Sequence, residues 1–141
     1  MDGEKFYSSA YTGSKDFTQQ KIHNANATGF GAASDDFAER GIDLNEQLVK
    51  NKLATFFMRV NSNAMIGAGI YMGDVVIVDR SLEAKNGKII IAIVDGELLI
   101  RKLEMTQTKT MLLPADKKLS AIDITGQLKL WGVVTYVIHN V

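Results

Sequence analysis

Cysteine is absent from this 141-residue chain, which excludes a disulfide framework and thiolate metal sites and is compatible with a reducing, cytoplasmic setting. Excess charge of either sign is absent as well. Sixteen basic residues balance sixteen acidic ones, so nothing in the net charge argues for direct binding to nucleic acid or to a membrane surface. No stretch approaches the ~18 consecutive apolar residues of a membrane-spanning helix, and the opening MDGEKFYSSAY has no apolar secretory region. A soluble cytoplasmic protein without a membrane partner is the expectation. Histidine is scarce, and His23 and His139 have no carboxylate or histidine at metal-like spacing. They read as an arm residue and a terminal-strand residue, with no metal and no cofactor expected.

What is present is 46% apolar content, enough for one sizeable core and too little chain for two domains of ordinary size. Composition changes near residue 40. Residues 1–38 are rich in Ser, Thr, Asn, Gly and Gln with scattered aromatics and no helical or alternating period, which reads as a flexible polar arm (1–40) ahead of a folded domain at 41–141. Asp43-Leu44-Asn45-Glu46 fits a capping box, and Leu44, Leu48 and Val49 form a short apolar face, so a helix of about two to three turns is predicted there. From residue 54 strand patterns dominate: ATFFMRV, DVVIVDR, GKIIIAIVD, ELLIRKLE, TKTMLLP and LKLWGVVTYVI, punctuated by Gly73, Asp95-Gly96, Pro114 and Thr125-Gly126. Asp95-Gly96 between two apolar runs predicts a tight hairpin. On its second strand, alternation sends Leu99, Arg101 and Leu103 to one face and Ile100 and Lys102 to the other.

Residues 60–79 read VNSNAMIGAGIYMGDVVIVD. Together with Gly29-Phe30, Ile42-Asp43-Leu44-Asn45, Val94-Asp95-Gly96-Glu97, Arg101-Lys102-Leu103 and Trp131-Gly132-Val133-Val134, this segment resembles the LexA/UmuD family of self-cleaving serine–lysine peptidases (peptidase S24). Within that family the likeness is to the UmuD-type accessory subunits of SOS mutagenic polymerases. The resemblance implies a mostly β fold of twisted, curved sheets with one short N-terminal helix and an extended polar arm. It implies a homodimer whose partners are a RecA-type recombinase filament and the catalytic subunit of a Y-family DNA polymerase, with DNA contacted only indirectly. It also implies autocatalytic cleavage of the arm between Thr28 and Gly29, by a serine nucleophile and a lysine base that burial keeps neutral.

Both catalytic positions depart from that pattern. Ala64 stands where the family has its serine, and Arg101, 37 positions later, stands where it has its lysine. Alanine has no oxygen with which to attack, and a guanidinium has five donors and no acceptor. Lys102 is adjacent, but a one-residue step along a strand points it to the other face. Ser62 shares a side with residue 64 if the segment is extended, yet lies about 6–7 Å away along a strand. Thr28 also replaces the usual Ala or Cys before the scissile bond. Without the flanking pattern, Ala64-Met65 would read as core at a strand-to-turn junction. Arg101 would read as a solvated strand residue or the partner of Asp95 or Glu97, and Trp131 as core or dimer packing. The chain as written is therefore expected not to cleave itself. The alternatives are an active autopeptidase carrying an experimenter's serine-to-alanine change at 64, and the peptidase domain of a phage or mobile-element repressor.

Overall fold

A computed structural model describes residues 16–24 and 41–141; the expected cleavage site, Thr28–Gly29, lies outside them. Among these residues the chain forms eight strands and one short helix: β1 (Phe17–Asn24), α1 (Leu44–Leu48), β2 (Thr55–Val60), β3 (Val75–Asp79), β4 (Ile89–Val94), β5 (Glu97–Met105), β6 (Thr110–Leu113), β7 (Ile122–Ile124) and β8 (Leu130–Ile138). All eight join one antiparallel sheet in the order β1-β2-β3-β8-β4-β5-β6-β7. The mostly β expectation is borne out. No helix among the described residues is long and apolar enough to cross a membrane.

The last strand sits near the middle. β8 pairs with β3 on one side and β4 on the other, and the register slips on each side, between Ile77 and Val78 and between Ile91 and Ala92. Such bulges bend and twist a sheet. The curl brings distant strands together: the backbone carbonyl of Asp16 accepts from Asn61 N–H at the end of β2, while its carboxylate accepts from Ile100 N–H on β5, although β2 and β5 are four places apart in the sheet order.

Curling also explains why VVIVD and IIIAIV are apolar at almost every position instead of alternating. Both faces of the sheet are covered. Met58, Val60, Met65, Ile70, Val76, Val78, Ile91, Leu98, Ile100 and Trp131 fill one core, and Ile90, Ala92, Leu103, Leu112 and Val133 fill the other. On β5 the predicted alternation holds, with Ile100 in the first cluster and Leu103 in the second. The hairpin holds too: Val94 pairs with Glu97, and Asp95 and Gly96 both take positive φ, 52° and 80°, as a two-residue turn between right-twisted strands requires. Trp131 is core, edge-on to Phe56 and under the guanidinium of Arg80.

The helix is shorter than predicted. Asp43 caps it as expected, accepting from Asn45 and Glu46 N–H. Val49 then turns to extended geometry (φ −104°, ψ 105°) and is buried, so the pull of that side chain into the interior ends the helix after five residues. Strands β1 and β7 had no counterpart in the sequence reading. FTQQKIHN has no apolar alternation, and its strand is defined by pairing with the edge of β2.

Candidate functional site at the edge of strand β5

The segment resembling a nucleophile turn leaves β2 at Val60 and returns at Asp74. Its mouth is closed by Val60 N–H donating to Asp74 C=O and Gly73 N–H donating to Val60 C=O. Inside, Asn63 Oδ1 accepts from Met72 N–H, and a single 3-10 turn at Ile66–Ala68 ends at Gly69 with φ 86°. The segment is a folded turn and not an extended strand. Ser62 accordingly bends back, its hydroxyl accepting from Ala64 N–H at 3.4 Å, which corrects the side-by-side placement that extension would have given. At the far end the Asp74 carboxylate accepts from Tyr71 N–H at 2.8 Å and meets His139 Nδ1 at 2.6 Å.

Ala64, Met65 and Ile70 are buried, and two hydrogen bonds staple the turn to the chain just after β6. Ala115 N–H donates to Ala64 C=O at 2.8 Å, and Gly67 N–H donates to Ala115 C=O at 2.7 Å. Glycine is required at 67: a Cβ there would stand 2.7 Å from the Ala115 carbonyl oxygen, inside any normal contact.

The same stretch opens the edge of β5. Strand β6 pairs with β5 only from Leu113, opposite Lys102. Pro114 follows, and a proline has no N–H to continue a ladder. In β5 the N–H of Leu103 points to the β4 side, donating to Lys88 C=O, so by alternation the N–H and C=O of Ile100 face the side that β6 has left. Two side chains replace the missing strand. Asp16 Oδ2 accepts from Ile100 N–H at 2.8 Å, and Arg101 donates one NH1 bond to Ile100 C=O at 2.8 Å and another to Asp16 Oδ2 at 3.1 Å.

Arg101 is therefore neither solvated nor paired with Asp95 or Glu97, which are exposed. It is 2% exposed and its acidic partner is Asp16, 85 positions away. Lys102, the next residue, is exposed, and its side chain takes no part in these hydrogen bonds. Positions 64 and 101 are tied into one circuit of contacts: Ala64 to Ala115, then across the β6–β5 pair Leu113–Lys102 to Arg101, then to Asp16, and back through Asn61 to the turn. Asp16 and its role had no sequence signal, since nothing local marks a carboxylate whose partner lies on another strand. His139 was read as a terminal-strand residue, and its contact with Asp74 spans 65 positions.

Chemically the circuit offers an alanine methyl, a guanidinium that only donates, and one buried carboxylate. Among the described residues, Asp16 Oδ1 and Arg101 Nε have no hydrogen-bond partner.

Residues 21–135 match the family model described as Peptidase S24-like. Protein ImpA of Escherichia coli is 33% identical over 112 residues, covering 79% of this chain and 77% of that protein. Protein MucA of Escherichia coli is 31% identical over 113 residues, covering 78% of this chain and 77% of that protein. The LexA repressor of Alcanivorax borkumensis is 29% identical over 103 residues, covering 72% of this chain and 50% of the repressor.

Proposed function

Since this chain belongs to the peptidase S24-like family, we propose that it works as a UmuD-like accessory subunit of SOS mutagenic DNA synthesis that does not cleave itself as written. In this reading the domain is a homodimer that engages a RecA-type recombinase filament and the catalytic subunit of a Y-family polymerase, and meets DNA only through them. Uncleaved, it restrains error-prone synthesis or pairs with a cleavage-competent partner.

The observation that carries the reading is the occupant of the base position. Self-cleavage on this scaffold needs a hydroxyl at 64 whose proton passes to a neutral amine at 101, after which the oxygen attacks the carbonyl carbon before Gly29. Ala64 supplies no hydroxyl. Arg101 supplies no lone pair, and its guanidinium is already engaged by the Asp16 carboxylate at 3.1 Å. The turn around position 64 nevertheless keeps its glycines and its closing hydrogen bonds, which supports a scaffold retained for binding.

Intact mass tests the reading. The present chain, Ala64→Ser and Ala64→Ser/Arg101→Lys are incubated at alkaline pH, which raises the neutral fraction of a lysine, and with activated recombinase filaments. The expected result is a fragment beginning at Gly29 from the double variant alone. Cleavage of Ala64→Ser by itself would instead favour an active autopeptidase altered at one position. The likeness to a LexA repressor keeps a repressor peptidase domain as a second reading, which operator binding by a longer form of the chain would support.

A further inference from the structure

The arrangement at Ile100 has a purpose that neither nucleophile nor base chemistry requires. A strand edge left open by Pro114 exposes one N–H and one C=O, and here both are answered by side chains from different parts of the chain. The donors converge: Ile100 N–H and Arg101 NH1 both aim at the same carboxylate oxygen, Asp16 Oδ2, at 2.8 and 3.1 Å. Arg101 is held for this by its second bond, to Ile100 C=O. Two aligned donors on one rigid strand, walled from water, form a receptor for a carboxylate.

We propose that the position where the family has its general base has become, in this chain, a carboxylate-binding notch on β5, whose ligand is Asp16 at the root of β1, so that the start of the arm is latched across the edge where β6 departs. The geometry of Asp16 fits a latch. Its side chain reaches β5 while its carbonyl accepts from Asn61 N–H, one residue past the end of β2, so a single residue clasps both margins of the circuit. While it is seated, the edge of β5 at Ile100 is closed to any other extended segment.

The latch is built to open. A buried ion pair is secure only when its remaining polar atoms are satisfied, and here Asp16 Oδ1 and Arg101 Nε are buried without partners among the described residues. Release rehydrates both, which offsets part of the lost attraction. The pair thus holds β1 in place without locking it there. The latch does not depend on the accessory-subunit reading, because it concerns what Arg101 holds and not what the domain assembles with.

Amide hydrogen exchange on the full chain tests it. In Asp16→Asn and in Arg101→Met, the Ile100 amide and the β1 amides of residues 17–24 are expected to exchange about a hundredfold to a thousandfold faster, the scale set by removing one partner of a buried pair. Amides of β3, β4 and β8 should remain the slowest to exchange, speeding up by no more than each variant's loss of global stability. The double variant should be no faster than the slower single, because both substitutions remove one interaction. Unchanged protection of Ile100 and β1 in either single, or effects that multiply in the double, would overturn the latch. Should a single variant lose the near-ultraviolet signal of Trp131 and so its fold, Arg101→Lys decides. Lysine keeps the charge but not the two-point fork, so partial loss of protection at Ile100 is expected, and full protection would overturn the proposal. None of these readouts involves cleavage, so failure of the latch and failure of the proposed function are separable.

Discussion

Two side-chain pairs brace the turn that carries Ala64, a buried ion pair at one end and a histidine–carboxylate hydrogen bond at the other, and they differ in what water can do. Arg101–Asp16 spans 3.1 Å with both side chains almost wholly buried, 3% and 1% exposed. His139–Asp74 spans 2.6 Å, but the imidazole is 46% exposed and only the carboxylate is buried. If the second pair opens, the histidine is hydrated at once and Asp74 keeps its bond from Tyr71 N–H. If the first opens, neither group meets water until β1 leaves the edge of β5. In the proposed function, Arg101 stands where the resemblance puts a lysine base, and Asp74 in the part of the turn that matches the resemblance. At one end the turn is braced by a carboxylate shared between Tyr71 N–H and His139, and at the other by a guanidinium that only donates.

The sharpest break in this comparison is to remove one partner of the buried pair. Arg101→Met should destabilise the domain by about 3–5 kcal/mol, read as a lowered urea midpoint with an unchanged slope. Converting both residues, as Asp16→Leu/Arg101→Met, should recover most of that loss, because no buried charge is then left alone. A smaller effect is expected at the staple between the two ends. Gly67→Ala places a methyl against the Ala115 carbonyl and should cost about 1–3 kcal/mol, as overpacking against backbone does. It should also deprotect the Ala115 amide, which donates to Ala64 C=O. At the half-exposed pair, Asp74→Ala should cost about 1–2 kcal/mol, two net hydrogen bonds, because the Tyr71 N–H and the His139 ring that lose their acceptor both belong to exposed residues.

How much of this could be read beforehand depended on sequence separation. The six apolar runs became strands and Asp95-Gly96 became a hairpin turn, because burial and local backbone geometry leave their marks within a few residues. The helix was foreseen from its cap but not in its length, which is decided by where Val49 is buried. Strand β1 escaped notice because its pairing with β2 leaves no period in FTQQKIHN, and β7 because three residues are too few to show one. At the site, Ala64 and Arg101 stood out through the family pattern alone. The residue that gives Arg101 its role, Asp16, is invisible until the sheet curls and brings β2 within reach of β5.

The smallest expected effect is the most discriminating for the comparison itself. His139→Ala removes a contact of 2.6 Å to Asp74 and a ring contact of 5.0 Å to Tyr71, a short pair by any geometric measure. If distance alone set the energy of a polar contact, this variant should rival Arg101→Met. If solvent exposure sets it, the loss should stay below about 1 kcal/mol, as for pairs that water can screen and rehydrate. The latter is expected, because the histidine already spends nearly half its surface in water. Thermal unfolding of His139→Ala at low and high salt checks the reasoning: the shift in midpoint should be small at both. For Arg101→Met the shift should persist at high salt, since the pair it breaks lies where mobile ions do not reach.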